Sequence, residues 1–187
     1  MIKILVSGFS KFDFHKENSS QIITELLKET KIRGIEIHTV ILPVAFSSAF
    51  ENLKIEIDTI KPDYVICLGL AHKREAISLE KVAINLIHCD IADNEGAFQK
   101  DTVILEKGPV AYFSTLPLES LLEVETPFPK KLSLSAGAYV CNFVMYRLLD
   151  YLNGTKVKGG FVHLPELNGD RERIHSSLVK LLQKLKS

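Results

Sequence analysis

The sequence predicts an α/β fold, a single domain in which helices pack on the faces of a mostly parallel sheet. Three observations predict it. Residues 2–70 alternate strand-like and helix-like apolar patterns, in the order strand, helix, strand, helix, strand. The chain has 187 residues, enough for one substantial core, and no repeat, low-complexity tract or linker divides it. Its composition, 46% hydrophobic and 25% charged, is that of an ordinary globular protein.

Ile2 to Val6 is a short β-branched apolar run ended by Ser7-Gly8, and reads as a buried strand. The loop from Gly8 to Asn18 carries Phe9, Phe12 and Phe14. Loops are mostly polar, so these rings either fold back on the core or line a pocket. Asn18-Ser19-Ser20-Gln21 has the spacing of a capping box, and Ile22, Ile23, Leu26 and Leu27 give the following helix its inner face. Gly34 closes that segment. Ile35 to Leu42 alternates as a second strand. Ser48-x-x-Glu51 offers another capping box. Phe46, Phe50, Leu53, Ile57 and Ile60 then step at helical spacing until Pro62. Asp63 to Leu70 is the third strand.

Ile77 to His88 reads as one strand with Leu79, Lys81 and Ala83 on one side and Glu80, Val82 and Ile84 on the other. A Glu on the apolar side is costly unless paired. Cys89 to Val103 is a charged loop, Leu116 to Glu123 a short helix, and Lys131 to Leu134 a short strand after Pro127 and Pro129. Ser135 to Tyr139 is a polar, Gly-containing break before a helix running to about Leu152. Residues 140, 143, 144 and 148, and equally 141, 145, 149 and 152, repeat at helical spacing, so this helix is apolar on two faces and buried. Val157 to Leu164 is the last strand, with His163 at its carboxyl end. Ile174, Leu178, Leu181, Leu182 and Leu185 form a final amphipathic helix.

Several function classes fall away. The formal net charge is zero, which argues against nucleic acid or an anionic membrane as partner. The apolar start, Met1 to Val6, is too short for a signal peptide or a span, and no other run reaches spanning length. Cys67, Cys89 and Cys141 are odd in number and widely spaced, which predicts reduced thiols and a cytoplasmic protein. His72, His88, Cys89, Asp90, Asp93 and Glu95 cluster without any recognised ligand spacing, so no metal site is predicted. There is no phosphate-binding glycine loop.

Cys141 falls in the first turn of its helix, where free N–H groups and the helix dipole favour a thiolate. The alternative is a small core residue. Helix starts and strand carboxyl ends share one edge of a parallel sheet, so Cys141 and His163 can meet there. A cysteine nucleophile needs a base, and the base an orienting group. Glu80 is the best candidate for the latter, the alternative being a salt bridge to Lys73, Arg74 or Lys81.

Five stretches carry a resemblance: Gly8-Phe9-x-x-Phe12, Ile77 to Asn85, Asp93-Asn94-Glu95-Gly96, Ser135-Ala136-Gly137-x-Tyr139-Val140-Cys141-Asn142, and Gly160-Phe161-Val162-His163-x-Pro165. In this order, over most of the chain, they resemble pyroglutamyl peptidase I, a family of cysteine peptidases. The resemblance implies a three-layer α/β/α domain around a mixed sheet and a Cys141–His163–Glu80 triad. It implies removal of an N-terminal pyroglutamyl residue from peptides through a thioester. It also implies no metal or cofactor, a cytoplasmic location and often a tetramer. Phe9 and Phe12 match positions that pack on the flat lactam ring, Ile91 an apolar wall, and Leu70 a position that is Gln or Leu. Asn18 matches a position beside the ring, with the helix cap as an equal alternative, and Arg74 a family Arg with a structural role equally open.

The chain departs from the family pattern at its substrate edge. Lys11, Asp13 and Phe14 replace a Pro and two Gly, His72-Lys73 replaces a small pair, and Ala92 replaces Pro. Residues Leu164 to Gly169 differ from the usual run after the His. Asp90 stands where the family has Arg, and a carboxylate there is expected to oppose an oxyanion and raise a nearby thiol pKa. Two alternatives therefore stand beside peptidase: an amidase with the same triad and another substrate, and a non-catalytic binding protein.

Overall fold

The computed structural model describes residues 1–12 and 17–186. Asp13 and Phe14 of the aromatic loop lie outside them. The elements are β1 (Ile2–Phe9), α1 (Ser19–Lys28), β2 (Ile35–Leu42), α2 (Ala49–Ile60), β3 (Tyr64–Leu70), β4 (Ile77–Glu80), β5 (Val82–Ile84), β6 (Ala111–Phe113), α3 (Leu118–Glu123), β7 (Lys130–Ser133), α4 (Val140–Tyr151), β8 (Lys158–Leu164) and α5 (Arg171–Lys184).

Among the described residues, six strands form one sheet in the order β2-β1-β3-β8-β4-β7, and β5 and β6 form a separate antiparallel pair. β2, β1, β3 and β8 are mutually parallel. β4 runs antiparallel to β8, and β7 parallel to β4. The sheet is therefore mixed and mostly parallel.

Strand parity sorts the core into two layers. Ile4, Val6, Ile66, Leu68, Ile77, Leu79, Val162 and Leu164 face α1, α3 and α5, meeting Ile23, Leu27, Leu121, Ile174, Leu178 and Leu182. Leu5, Phe9, Val65, Cys67 and Phe161 face α2 and α4, meeting Phe50, Leu53, Ile57, Val144, Leu148 and Leu149. Burial of one such Leu contributes roughly 1.5–3 kcal/mol. The two-faced apolar pattern of α4 arises because it is covered on both sides: Val140, Val144, Met145 and Leu148 are all at most 1% exposed.

Three local expectations are corrected. The predicted strand 77–88 is two strands, because the chain leaves the large sheet at Lys81, whose N–H donates to Ser133 O (2.8 Å) and whose carbonyl accepts from Ser114 N (2.9 Å). Its partner β6 is three residues long and has no readable alternation. Ser48 makes no side-chain cap on α2; its hydroxyl reaches Glu95 instead (3.4 Å). Asn18 does cap α1, accepting from Ser20 N at 3.0 Å, but Gln21 completes no box and donates to Glu25 (2.9 Å). α1 stops at Lys28, and Gly34, at φ +83°, makes the turn into β2.

Candidate active site

The parity that buries Leu79 against α5 turns Glu80 to the opposite face, toward α4. His163 shares the parity of Phe161 and projects to that same face. In the β4–β8 register Glu80 pairs with Phe161 and Ser78 with His163, so Glu80 and His163 are diagonal neighbours on one surface. Their side chains meet: His163 Nδ1 lies 2.8 Å from Glu80 Oε1. Glu80 is fully buried and His163 is 4% exposed. The Arg74 guanidinium donates to the same Oε1 through Nη1. Glu80 thus makes both contacts weighed for it, one to His163 and one salt bridge, the latter with Arg74 rather than Lys73 or Lys81.

Cys141 is the second residue of α4, after Tyr139 at the N-cap. Gly69 makes room for it. Gly69 sits in register with His163, and a methyl group there would lie 2.7 Å from Phe161 Cζ and 3.0 Å from Cys141 Sγ. The sulfur therefore rests against β3 beside the His163 position. Phe161 packs its ring 4.7 Å from that of His163 and 6.3 Å from that of Phe9, linking the imidazole to the aromatic loop.

Electrostatics corrects one expectation. Burial is the largest influence on Cys141, followed by the negative charge of Glu80. Together they push its thiol up to about 12 despite its place at a helix start. Asp90 is not among the groups that raise it. Burial also pulls His163 below its ordinary value of 6.5, outweighing the opposite pull of Glu80. Burial would raise Glu80, but His163, Ser133 and Arg74 together hold it below the usual carboxylate value. The resting site is thus a neutral thiol, a neutral imidazole and an ionised carboxylate.

These directions predict acid sensitivity. His163 and Glu80 are both depressed in the folded chain, so the unfolded chain binds more protons below pH 6.5. The stability they contribute is present above their unfolded values and is lost as pH falls. The urea midpoint should decline from about pH 6.5 downward. His175 is shifted the same way and still titrates in the His163→Gln variant, so that variant's decline should start at the same pH and be shallower, the difference being the share of His163.

A pocket of about 610 Å³ opens beside the thiol. Phe9, Phe12, Asn18, Leu70, Ile91 and Cys141 all line it, as the sequence leads one to expect, and His72, Lys73, His88 and Asp90 add polar wall. His163 and Glu80 are buried and do not line the pocket. Asn18 is both lining and cap: Oδ1 takes Ser20 N and the Ser20 hydroxyl, while Nδ2 donates to Ser10 O (3.0 Å) and closes the aromatic loop. Among the described residues no three His, Cys, Asp or Glu side chains converge on a metal position, and no helix is long and apolar enough to cross a membrane.

Two contributors lie outside the predicted site residues. Tyr139 packs at a tilt against Phe12 (5.4 Å) and edge-to-face against Phe46 (5.6 Å) and donates to Ala92 O (3.0 Å), tying the pocket walls together. Asn142 is fully buried next to the thiol; it accepts from Ile84 N (2.9 Å) and donates to Ile84 O (2.9 Å) and Leu86 O (3.0 Å). A buried polar residue inside an apolar helix run was the available clue. Asn142→Leu strands these backbone groups and should cost about 2–4 kcal/mol. The melting temperature should then fall by roughly 5–15 °C. A fall below about 2 °C would contradict this strut.

A thiol at a helix start, backed by an imidazole on a buried carboxylate at the carboxyl edge of an α/β sheet, defines the class of cysteine-type acyl-transfer enzymes. Residues 2–175 match the family model described as pyroglutamyl peptidase. The pyrrolidone-carboxylate peptidase of Erwinia tasmaniensis is 43% identical over 169 residues, spanning 89% of this chain and 79% of the relative. That of Pyrococcus furiosus is 40% identical over 168 residues, 88% of this chain and 81% of the relative. The crystal structure of pyroglutamyl peptidase I from Bacillus amyloliquefaciens superposes with a TM-score of 0.92 at 29% identity, covering 98% of this chain and 94% of that one. The chain belongs to the pyroglutamyl peptidase family.

Proposed function

We propose that this chain removes the N-terminal pyroglutamyl residue from peptides, with Cys141 as nucleophile, His163 as base and then acid, and Glu80 as orienting group. His163 takes the Cys141 proton as the sulfur attacks the pyroglutamyl carbonyl. Backbone N–H groups at the start of α4 hold the oxyanion. The imidazolium then protonates the departing amine, leaving a thioester on Cys141. Water, deprotonated by His163, hydrolyses it and frees the thiol. Glu80 keeps the Nδ1 proton on the ring and stabilises the imidazolium. Phe9, Phe12, Leu70 and Ile91 offer faces suited to a flat uncharged lactam and unsuited to a charged amino terminus.

The observation that carries this is the coincidence of Cys141 on the pocket wall with the buried 2.8 Å His163–Glu80 pair. The chemistry calls for no cofactor. Family resemblance supports a single catalytic domain over residues 1–187, a cytoplasmic location and a homo-oligomer, a tetramer in the pattern of the family.

The test compares fluorophore release from a pyroglutamyl amide with release from the glutaminyl amide, which differs by a free charged amine. Turnover of the first alone, unaffected by a chelator, is the expected result. Equal turnover of both would refute the assignment. One observation favours the amidase alternative: the unlike charges of Lys73 and Asp90 line the same pocket. It requires poor pyroglutamyl turnover together with an alkylatable Cys141.

A further inference from the structure

We infer that Arg74 is a positioning residue that locks the triad carboxylate to the loop delivering the nucleophile. The inference rests on the proposed roles of Glu80, His163 and Cys141. Arg74 lies between β3 and β4, and its side chain is 23% exposed while Glu80 is fully buried. One arm of the guanidinium, Nη1, donates to Glu80 Oε1, the same oxygen that His163 Nδ1 meets. The other arm, Nη2, donates to Ser135 O at 2.9 Å.

Ser135 begins the segment that enters α4, and Gly137 within it adopts φ +81°. Three further contacts hold this segment: Ser133 Oγ donates to Ser135 O (3.2 Å), His88 N to Ala138 O (2.9 Å), and the Tyr139 hydroxyl to Ala92 O (3.0 Å). Of these, Arg74 and Ser133 link the segment to the acid of the triad, since Ser133 also acts on Glu80, and Arg74 does so with a permanent charge. A planar fork with two fixed donors can span a carboxylate and a carbonyl at once; a lysine ammonium is a single point of contact on a flexible stem. The position of Cys141 relative to His163 is thereby coupled to the position of Glu80.

The same guanidinium sets the charge state behind the thiol. The charged groups acting on His163 are Glu80 from β4 and Arg74 from the β3–β4 loop; Cys67 from β3 and Cys141 from α4 belong to the same layer of the core. Burial pushes both thiols up to about 12, so they are uncharged at neutral pH. Glu80 and Arg74 are then the charges acting on the ring: Glu80 raises its basicity and Arg74 lowers it. Arg74 thus adds to burial in disfavouring the imidazolium, and to His163 and Ser133 in holding the carboxylate ionised.

The test uses the full chain with Arg74→Met and Arg74→Lys. NMR titration of the His163 ring needs no substrate and reads the charge effect directly. Arg74→Met should raise the His163 pKa and move the acid limb of kcat/KM upward with it. It should also lower kcat on a pyroglutamyl amide roughly 10–100-fold with little change in KM. Arg74→Lys, which keeps the charge and guards against a folding failure of the Met variant, should restore the titration while kcat stays low. An unmoved His163 titration in Arg74→Met, or full recovery of kcat in Arg74→Lys, would overturn the inference. Absence of pyroglutamyl turnover in the wild type would instead refute the proposed substrate, and the titration would still judge Arg74.

Discussion

Cys141→Ala abolishes turnover of a pyroglutamyl amide, with kcat expected to fall by roughly 10⁴–10⁶-fold. The reason is chemical: water would have to attack the carbonyl in place of sulfur, without the thioester that divides the reaction into two easier steps. The effect on stability is small by comparison. Sγ lies in a slot left by Gly69, against Phe161, and opens on the pocket side. Alanine leaves a small space next to a pocket rather than a sealed cavity. Unfolding midpoint and circular dichroism should match the wild type while activity is lost. Cys67→Ala and Cys89→Ala are the controls. Both residues are buried, Cys67 wholly and Cys89 to 1% exposure, and neither lines the pocket. Either variant should retain activity of the same order as wild type.

Glu80→Gln is the second large effect, a loss in kcat of about 10³–10⁴-fold with KM nearly unchanged. The amide keeps the shape of the carboxylate but removes its charge. Its oxygen still has two lone pairs but is a weaker acceptor than the carboxylate, and Arg74 and His163 compete for it. Arg74 carries a permanent charge and keeps the bond. His163 can then face the amide's NH₂, which favours the tautomer with its proton on the wrong nitrogen. The imidazolium also loses its counter-ion at the moment it forms. A double-mutant comparison with His163→Gln should show strong non-additivity, since each variant disables the same proton transfer. A Glu80→Gln variant with near-normal kcat would show that Glu80 serves only to pair Arg74.

Much of this site could be read from residue order. The alternation through Leu70 placed helix starts and strand carboxyl ends at one edge, and Cys141 lies in the first turn of its helix, as expected. Glu80 stood out because an acid followed Leu79 in an apolar strand, and the fold explains why: it is turned to the layer that holds His163. What stayed hidden depends on tertiary contact. The strand break at Lys81 is decided by Ser133 and Ser114, both distant in sequence. Arg74 could not be chosen over Lys73 or Lys81 by spacing; the Lys81 ammonium in fact lies over the Phe113 ring, 5.6 Å from its centroid.

The thiol was misjudged for the same reason. A helix start favours a thiolate only while water or a cation helps hold the charge. Cys141 instead faces desolvation and the Glu80 carboxylate. In the proposed reaction the thiolate is therefore generated during attack, by transfer of its proton to His163, rather than stored as an ion pair. That places more weight on the geometry of the base, on the Glu80 contact and on the Gly69 slot than on the helix dipole.

The most direct test of the central claim, that Cys141 attacks a pyroglutamyl carbon held in this pocket, is mass spectrometry after treatment with the chloromethyl ketone of pyroglutamate. The thiol should displace chloride once per chain, the adduct should map to Cys141, and activity should fall in proportion to its occupancy. Modification of Cys141 with activity retained, or complete inactivation with the adduct on another residue, would contradict the account.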